Sequence, residues 1–511
     1  MSLIKKSVAN FIGGIVPAIA SLLTVPVIVA RLGTVEYGLF TLVTAIVGYF
    51  ALIDINVTAG SVKYLSEHHA RGEHDRVNQV ISFGGFIYFV IGILGGIGIF
   101  IFADTLVTSF FNVPENLHEV ARKTLQVASV AFFFGQMQVY LLSIPQALQR
   151  YDLSGMVESV FGTLTSISTV IVVLFGGGLV EIVLVRLVLS AINCGLLLNI
   201  IRKILPFARL TKPDRETVNK LASFSAYSYL SRISAITYAY GDKLIIGAIE
   251  NMQAVTQFSV PSLLVNRAVV PIYRLGTVIF PVSSALSAND QHDDLRRIYI
   301  VSTRYYIFLH ACMCIFLSLF SRELLHYWAG PVFGPSAALV LVLVATATFM
   351  DSLTNLPSLV NDGLGKPKNT GVMALTRAIF GVALCYLFIR EYGYIGAAWA
   401  ELIISSLFSI VFLLYVHSRS VPVKFHDVYK NSYQVTVVPL IVILSVITAF
   451  SHRAVLSPLL FILALLITII LLSGYAWFVI CLPHHHEPFK KYLMGYLTFN
   501  AFKKKSKILK I

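Results

Sequence analysis

The chain has 511 residues, of which 57% are hydrophobic and only 13% are charged, and its formal net charge is +14. Because soluble globular domains carry about 25% charged residues, this composition excludes an ordinary soluble enzyme or binding domain. The apolar runs are solid rather than alternating, which excludes a membrane β-barrel, and most approach the roughly 20 residues needed to cross a bilayer. The composition therefore predicts an all-α polytopic membrane protein.

Fourteen transmembrane helices are predicted in chain order. They lie at 8–30, 38–62, 80–102, 120–144, 155–176, 179–201, 219–241, 254–283, 299–320, 334–358, 370–389, 393–416, 433–450 and 456–480. The N-terminal sequence is basic and then apolar but lacks a small-residue cleavage site, which favours a retained first span over a signal peptide. The five cysteines show no spacing typical of a zinc site or a disulfide framework.

The linkers between the predicted helices alternate in charge. One set is rich in Lys and Arg, as in the linker from Arg202 to Lys220, and the other is poor in them, as in ADTLVTSFFNVPEN. Cytoplasmic loops of membrane proteins carry the excess of basic residues, so both termini are predicted to be cytoplasmic. The tail from Lys490 to Lys510 is expected to contact anionic lipid headgroups rather than nucleic acid. All linkers are short, so no soluble catalytic domain is predicted.

Three linkers of the first half have counterparts in the second half. LGTVEYGLF (32–40) corresponds to IENMQAVTQF (249–258), EHDRV (73–77) to QHDDL (291–295), and ALQRYDLSGMV (147–157) to GLGKPKNTGVM (363–373), each at a separation of 216 to 218 residues. Six predicted helices lie within this separation, so the two copies cross the membrane in the same direction. Parallel repeats of this kind are found in transporters whose substrate path lies between the halves.

The repeat predicts how the chain is divided. Two parallel six-helix lobes are expected at 1–213 and 214–430 around a central cavity, followed by two extra helices at 431–482 and a basic cytoplasmic tail at 483–511.

Charged side chains inside the predicted helices are the candidate site residues, because they are costly in a bilayer and usually face a bundle interior or an aqueous cavity. The basic members are Arg186, Arg232, Arg267, Arg274, Arg304 and Arg377, and the acidic members are Asp54, Glu158, Asp351 and Glu401. Guanidinium groups bind phosphate oxygens in a bidentate fork, so the arginines are predicted to bind an anionic substrate. The acidic residues are predicted to bind a coupling ion or to balance charge. Arg–Asp pairing between helices, or snorkelling of arginines to an interface, is the structural alternative.

The segment VNRAVVPIYRLGTVIFPVSS (265–284) contains two of these arginines. Arg267 and Arg274 are seven residues apart, which is two helical turns and places them on one face, with Pro271 between them. The sequence PHHHEPF (483–489) has three histidines, but adjacent histidines point in different directions, so no metal site is predicted there.

The opening sequence resembles the polysaccharide-biosynthesis transporters, the O-antigen and capsule flippases of the multidrug/oligosaccharidyl-lipid/polysaccharide exporter superfamily. The features that carry the resemblance are Asn10 in the first helix, Pro26 near its end, the LGTVEYGLF turn, the basic loop KYLSEHHARGEHDR and the segment YGDKLIIGAI (240–249). The resemblance implies two six-helix lobes around a cavity. It also implies a transporter, not an enzyme, that moves a polyprenyl-pyrophosphate-linked oligosaccharide across the bacterial cytoplasmic membrane by alternating access.

The same resemblance implies the partners. These would be the polyprenyl-linked glycan, membrane lipids, and the glycan polymerase and glycosyltransferases, with no cofactor beyond H⁺ or Na⁺ coupling. Four alternatives stay open. A cation-coupled multidrug exporter would have an acidic cavity, a peptidoglycan-precursor flippase has fourteen spans, a membrane glycosyltransferase would carry a long outer loop, and a scaffold would not transport.

Overall fold

A computed structural model describes residues 3–277, 279–288, 290–421, 423–436 and 455–481. In these residues the fold is helical throughout and contains no strand. Ten helices of the described part are long and apolar enough to cross a membrane. The all-α polytopic prediction is therefore confirmed, whereas the count of fourteen stays a prediction.

The difference between ten and fourteen has identifiable sources. The first two predicted helices belong to one long candidate span, Val16–Ile53. The predicted helices at 219–241 and 254–283 are present as long helices but fall outside the ten candidates. Polar side chains on these two helices suit segments that face protein rather than lipid. Most of the predicted helix at 433–450 lies outside the described residues. The tail at 483–511 lies wholly outside them.

The helices are numbered here in chain order. They are α1 (Leu3–Phe50), α2 (Val57–Ala70), α3 (His74–Thr105), α4 (His118–Ala147), α5 (Tyr151–Leu174), α6 (Leu179–Ile204), α7 (Arg215–Ile249), α8 (Met252–Gly276), α9 (Ile279–Ala288), α10 (His292–Leu319), α11 (Ser321–Leu324), α12 (Pro335–Gly363), α13 (Pro367–Tyr392), α14 (Tyr394–Arg419), α15 (Phe425–Val428) and α16 (Pro458–Tyr475).

Gly33 divides α1 into two arms. Its φ of 80° lies in the left-handed region, which glycine adopts without the steric cost that a Cβ would bring. The bend falls in the predicted linker LGTVEYGLF, so the two arms correspond to the first two predicted spans. The remainder of the second span is formed by α2.

The second predicted span, 38–62, is not continuous. A short 3-10 turn (Ala51–Ile53) follows α1, Asp54 is extended, and Asn56 has a left-handed φ of 59° before α2 begins. Asp54 Oδ1 accepts the backbone N–H of Asn56 at 2.8 Å, a local turn that competes with helix formation. Unwound backbone at membrane depth is tolerated where protein covers it. Here Tyr229 of α7 donates to the carbonyl of Leu52 at 2.6 Å.

Helices α7 and α8 lie against α1 and α2 as well as against the later helices α12 and α13. The contacts of α7 and α8 with α1 are so close that a side chain larger than that of glycine would clash. A Cβ at Gly38 would lie 1.8 Å from the carbonyl oxygen of Met252, and a Cβ at Gly48 would lie 2.3 Å from the Tyr240 ring. The seam between the first six predicted spans and the later ones is therefore formed by α1, α2, α7 and α8.

The segment between α6 and α7 is bound to the start of α3. The backbone N–H groups of Arg209, Thr211 and Asp214 donate to the side chains of Asn78, Ser82 and Gln79, respectively. Asp214 also caps α7, and the backbone N–H of Thr217 lowers the pKa of its carboxyl, so it stays ionised for its 2.5 Å contact with Arg76. The chain thus enters α7 from a fixed point on α3.

Candidate functional site

The first buried ion pair lies at the break between α1 and α2. Asp54 is fully buried, and its Oδ2 accepts from Arg232 Nη2 of α7 at 3.1 Å. The Nε of Arg232 is buried and has no hydrogen-bond partner among the described residues. The pair joins two segments that are 178 residues apart in the chain. Among the described residues it leaves the Nε donor of the guanidinium unused.

A second ion pair joins α12 and α13. Arg377 Nη2 donates to Asp351 Oδ2 at 2.7 Å and to the hydroxyl of Ser405 on α14 at 2.8 Å. The guanidinium also lies over the ring of Tyr238 on α7, 4.9 Å from its centroid. Four helices therefore meet at one charged group.

Tyr238 links this pair to a further carboxyl group. Its hydroxyl oxygen lies 3.2 Å from Asp351 Oδ2 and 2.9 Å from Glu401 Oε1 of α14. Among the described residues Glu401 has no ion-pair partner, while Asp242 is held by Lys243 at 3.0 Å. These groups border a cavity of about 290 Å³ between α7, α13 and α14, lined by Tyr238, Asp242, Arg377 and Glu401 among others.

Helix α8 presents its two arginines differently. Arg267 is exposed and has no hydrogen bond or ion pair to a described carboxylate; its charge interacts with Tyr240 of α7. Arg274 is partly buried, and its charge interacts with Glu158 of α5. The sequence predicted both arginines on one face of the helix. In the structure they differ in exposure and in the residues with which their charges interact.

The remaining two arginines, Arg186 and Arg304, contact an aromatic ring and backbone carbonyls, respectively. Arg186 lies over the ring of Phe40, 4.6 Å from its centroid, with Tyr37 nearby. Arg304 donates to the backbone carbonyls of Asn431, at 3.3 Å, and Val479. Among the described residues, neither Arg186 nor Arg304 forms an ion pair with a carboxylate.

Several residues of the candidate site were missing from the sequence prediction. Tyr238, Tyr240 and Ser405 are uncharged, and the search for intramembrane charges did not consider them. The dense aromatic sequence TYAYGDK (237–243) before Asp242 was the available signal, because tyrosines inside a membrane helix need partners for their hydroxyl groups.

A metal centre is not apparent. The described residues contain no group of three or more His, Cys, Asp or Glu side chains that could hold a metal ion. The histidine sequence at 483–489 lies outside the described residues.

Solved structures with the same arrangement of helices define the class of fold. An inward-facing MATE multidrug resistance transporter of the MOP superfamily matches with a TM-score of 0.65 and 15% identity, covering 80% of this chain and 94% of that one. An outward-facing structure of such a transporter matches with a TM-score of 0.61 and 14% identity over 81% and 94%. A MOP superfamily transporter from Pyrococcus furiosus Vc1 (DSM3638), described by the reverse polarity of its binding pocket, matches with a TM-score of 0.58 and 15% identity over 81% and 94%. The fold is that of the MATE transporters.

The family model for "Polysaccharide biosynthesis protein" matches residues 3–287, and the chain belongs to this family. A Shigella flexneri protein named "Putative O-antigen transporter" is 22% identical over 409 residues, covering 78% of this chain and 94% of that protein. The "Uncharacterized membrane protein EpsK" of Bacillus subtilis (strain 168) is 22% identical over 358 residues, covering 67% and 69%. The resemblance found in the sequence is confirmed.

Proposed function

We propose that the protein is a flippase that moves a polyprenyl-pyrophosphate-linked oligosaccharide across the bacterial cytoplasmic membrane. The observation that carries this proposal is the exposed Arg267, which lacks a carboxylate partner among the described residues, while Arg232 and Arg377 are each ion-paired to one. Family membership and the similarity to a protein named for O-antigen transport support the same substrate class.

The proposed transport cycle is alternating access between two six-helix lobes, 1–213 and 214–430. The seam formed by α1, α2, α7 and α8 supports this division, since these helices pack across it. Residues 431–482 would supply two extra helices, and both termini would be cytoplasmic. The MATE fold has been solved in inward-facing and outward-facing conformations, which gives the proposed cycle its two end states.

Arg267 is the proposed contact for the pyrophosphate. A guanidinium stays ionised at any physiological pH and offers paired N–H donors that match two phosphate oxygens. The sugars would pass through the aqueous space between the lobes while the polyprenyl chain stays in lipid.

Proton coupling through Glu401 is the proposed energy source. The Tyr238 hydroxyl has a single hydrogen, yet its oxygen lies within hydrogen-bonding distance of both Asp351 and Glu401. Arg377 neutralises Asp351, whereas no described cation pairs with Glu401. A proton on Glu401 satisfies both contacts without placing an uncompensated charge in the protein.

A cation-coupled multidrug exporter is the second candidate. It is favoured by the cavity beside α7, which is lined by two carboxyl groups, Asp242 and Glu401, and one cation, Arg377. The ion-pair partners of this lining, Lys243 and Asp351, add one charge of each sign. The excess of carboxyl groups over cations is a single charge, and the proposed proton on Glu401 offsets it. A lipid-linked glycan is therefore the preferred substrate over a cationic drug.

The test is flipping of a polyprenyl-pyrophosphate-linked oligosaccharide in proteoliposomes. We expect Arg267→Ala to reduce the rate about 10- to 100-fold, the range for loss of a hydrogen bond to a charged group, and Arg267→Lys to retain part of it. Arg390→Ala, at the exposed end of α13, is the matched control and should remain active. Full activity of both Arg267 variants would exclude the headgroup contact. Export of a cationic drug in place of glycan flipping would favour the second candidate.

A further inference from the structure

The cavity between α7, α13 and α14, called here the polar cavity, has hydrogen-bonding groups that its own residues leave unused. Glu401 contacts Tyr238 through Oε1, and its Oε2 has no hydrogen bond to another described residue. Arg377 makes its hydrogen bonds through Nη2, and no described group accepts from its Nη1. The hydroxyl of Thr237 also has no hydrogen bond to a described residue. The lining therefore offers an acceptor, a donor and a hydroxyl that can act as either.

The charges of this lining disfavour an ionic ligand. A cation that approaches Glu401 meets the guanidinium of Arg377 at the border of the same cavity, and an anion that approaches Arg377 meets the carboxyl groups of Glu401 and Asp242. A hydroxyl group both donates and accepts, so it can serve the carboxyl and the guanidinium without adding a charge inside the protein. The polar cavity therefore suits a neutral ligand with several hydroxyl groups.

The shape of the polar cavity suits a ring-shaped ligand. The side chain of Tyr238 is 46% exposed, although the guanidinium of Arg377 lies over its ring. A sugar has C–H groups on its faces and hydroxyl groups around its edge, so it fits an aromatic ring that lies beside planar polar groups. The volume of about 290 Å³ is near the lower end of the range for ligand pockets, about 300–1,000 Å³, and suits a short saccharide. Small residues leave this space open: Ala235, Gly241, Ala374, Ala378, Gly381 and Ala397.

The polar cavity continues into a second cavity of about 440 Å³. The two share Gly241, Ile245 and Val382, and residues of α1 and of the segment after α3 line the second cavity together with α7 and α13. Helices from both halves of the sequence therefore border the combined space. A ligand that lies there contacts both halves, as the substrate of the proposed alternating access must do.

We infer that the polar cavity binds a sugar residue of the transported glycan. The sugar hydroxyl groups would bond to Glu401 Oε2, Arg377 Nη1 and the Thr237 hydroxyl, and a C–H face would pack against the Tyr238 ring. This inference rests on the proposed function, because it takes the substrate to be a lipid-linked glycan, and it leaves the diphosphate to Arg267. It also makes Glu401 a contact of the sugar as well as the proposed proton site, so the glycan itself would sense the coupling group.

The experiment compares two lipids that differ only in their sugars. One is the polyprenyl-diphosphate-linked oligosaccharide extracted from the bacterium that makes the protein, and the other is the same polyprenyl diphosphate without sugars. Binding of each lipid to the purified full-length protein is measured. We expect Thr237→Val to weaken binding of the glycan-bearing lipid about 2- to 10-fold, the range for one neutral hydrogen bond, and to leave the sugar-free lipid unchanged. Thr376→Val is the control, because its hydroxyl donates only to the Val372 carbonyl of the same helix.

A second variant fills the polar cavity. An added Cβ at Gly381 would lie 4.0 Å from the side chain of Ile404, an ordinary van der Waals distance, so a side chain there does not displace α14. Gly381→Leu should therefore fold and should remove the effect of the sugars on binding, so that the two lipids bind equally. Gly135→Leu on α4, where an added Cβ meets nothing within 4 Å, is the matched control and should preserve that effect.

The outcomes separate this inference from the proposed function. Arg267→Ala should weaken binding of both lipids, because both carry the diphosphate. If Arg267→Ala does so while Thr237→Val and Gly381→Leu change neither lipid, the flippase proposal stands and the sugar site is excluded. Equal weakening of both lipids by the two cavity variants would show that the cavity holds the lipid part, which would also overturn the inference. No binding of the glycan-bearing lipid by the wild type would count against both proposals.

Discussion

The hydroxyl of Tyr229 on α7 donates a 2.6 Å hydrogen bond to the carbonyl of Leu52, at the point where the helix before α2 is interrupted. The bond satisfies a backbone group that the break has released, and it does so from the other side of the seam. Buried backbone carbonyls that lose their partner pay the cost of desolvation.

We therefore expect Tyr229→Phe to destabilise the protein by about 1–3 kcal/mol. Thermal unfolding in detergent would measure this. Tyr386→Phe on α13 is the control, because among the described residues the Tyr386 hydroxyl makes no hydrogen bond and its ring is retained. Equal stability of the two variants would show that water or lipid serves Leu52 equally well.

Gly38 sets how closely α1 approaches α8. A Cβ there would lie 1.8 Å from the backbone oxygen of Met252, so Gly38→Ala must push two helix backbones apart. We expect a loss of about 1–3 kcal/mol, the usual cost of overpacking. At Gly135, by contrast, an added Cβ meets nothing within 4 Å. Gly135→Ala should be neutral or stabilising by up to about 1 kcal/mol. Urea or thermal titration of both variants tests the difference, and a stable Gly38→Ala protein would contradict the close approach.

Arg377 neutralises Asp351 inside the bundle. Because Arg377→Ala leaves the mostly buried carboxylate of Asp351 without its cation, we expect a loss of up to about 3 kcal/mol. Arg377→Met combined with Asp351→Leu removes both charges and should recover most of the stability. The comparison of the single and double variants in a denaturation assay is the measurement. Failure of the double variant to recover stability would show that Ser405 and Tyr238, not charge, dominate this cluster.

Glu401 is expected to make flipping depend on a proton gradient. In Glu401→Gln the side-chain amide always carries hydrogen, so it imitates the protonated form of Glu401 and cannot release a proton. The variant should bind substrate but lose the response of its flipping rate to an imposed pH difference across the vesicle membrane. Thr376→Val, at a partly exposed position of α13, provides a control for the loss of a polar group nearby. A gradient response that survives in Glu401→Gln would remove Glu401 from the coupling step, and a response to Na⁺ alone would replace the proton.

The sequence predicted the class of fold and the identity of the charged groups but not their pairing. Arg232 and Asp54 are distant in the chain, and hydropathy contains no information about which helix faces which. The break at Asp54–Asn56 was missed because the apolar content of residues 38–62 resembles one continuous span, while the turn depends on two polar side chains. Arg267 was predicted as a substrate contact on cost alone, and the structure adds that its neighbours leave it exposed.

The tie between the α6–α7 segment and α3 has a mechanical consequence. Three backbone amides of residues 209–214 are held by Asn78, Gln79 and Ser82, so this connection is attached to α3 along its length. In the proposed transport cycle, a displacement of one half relative to the other would then bend α7 beyond its anchored first turn. Asn78→Ala would remove the hydrogen bond to the backbone of Arg209. The start of α7 could then shift relative to α3, and less bending within α7 would be needed.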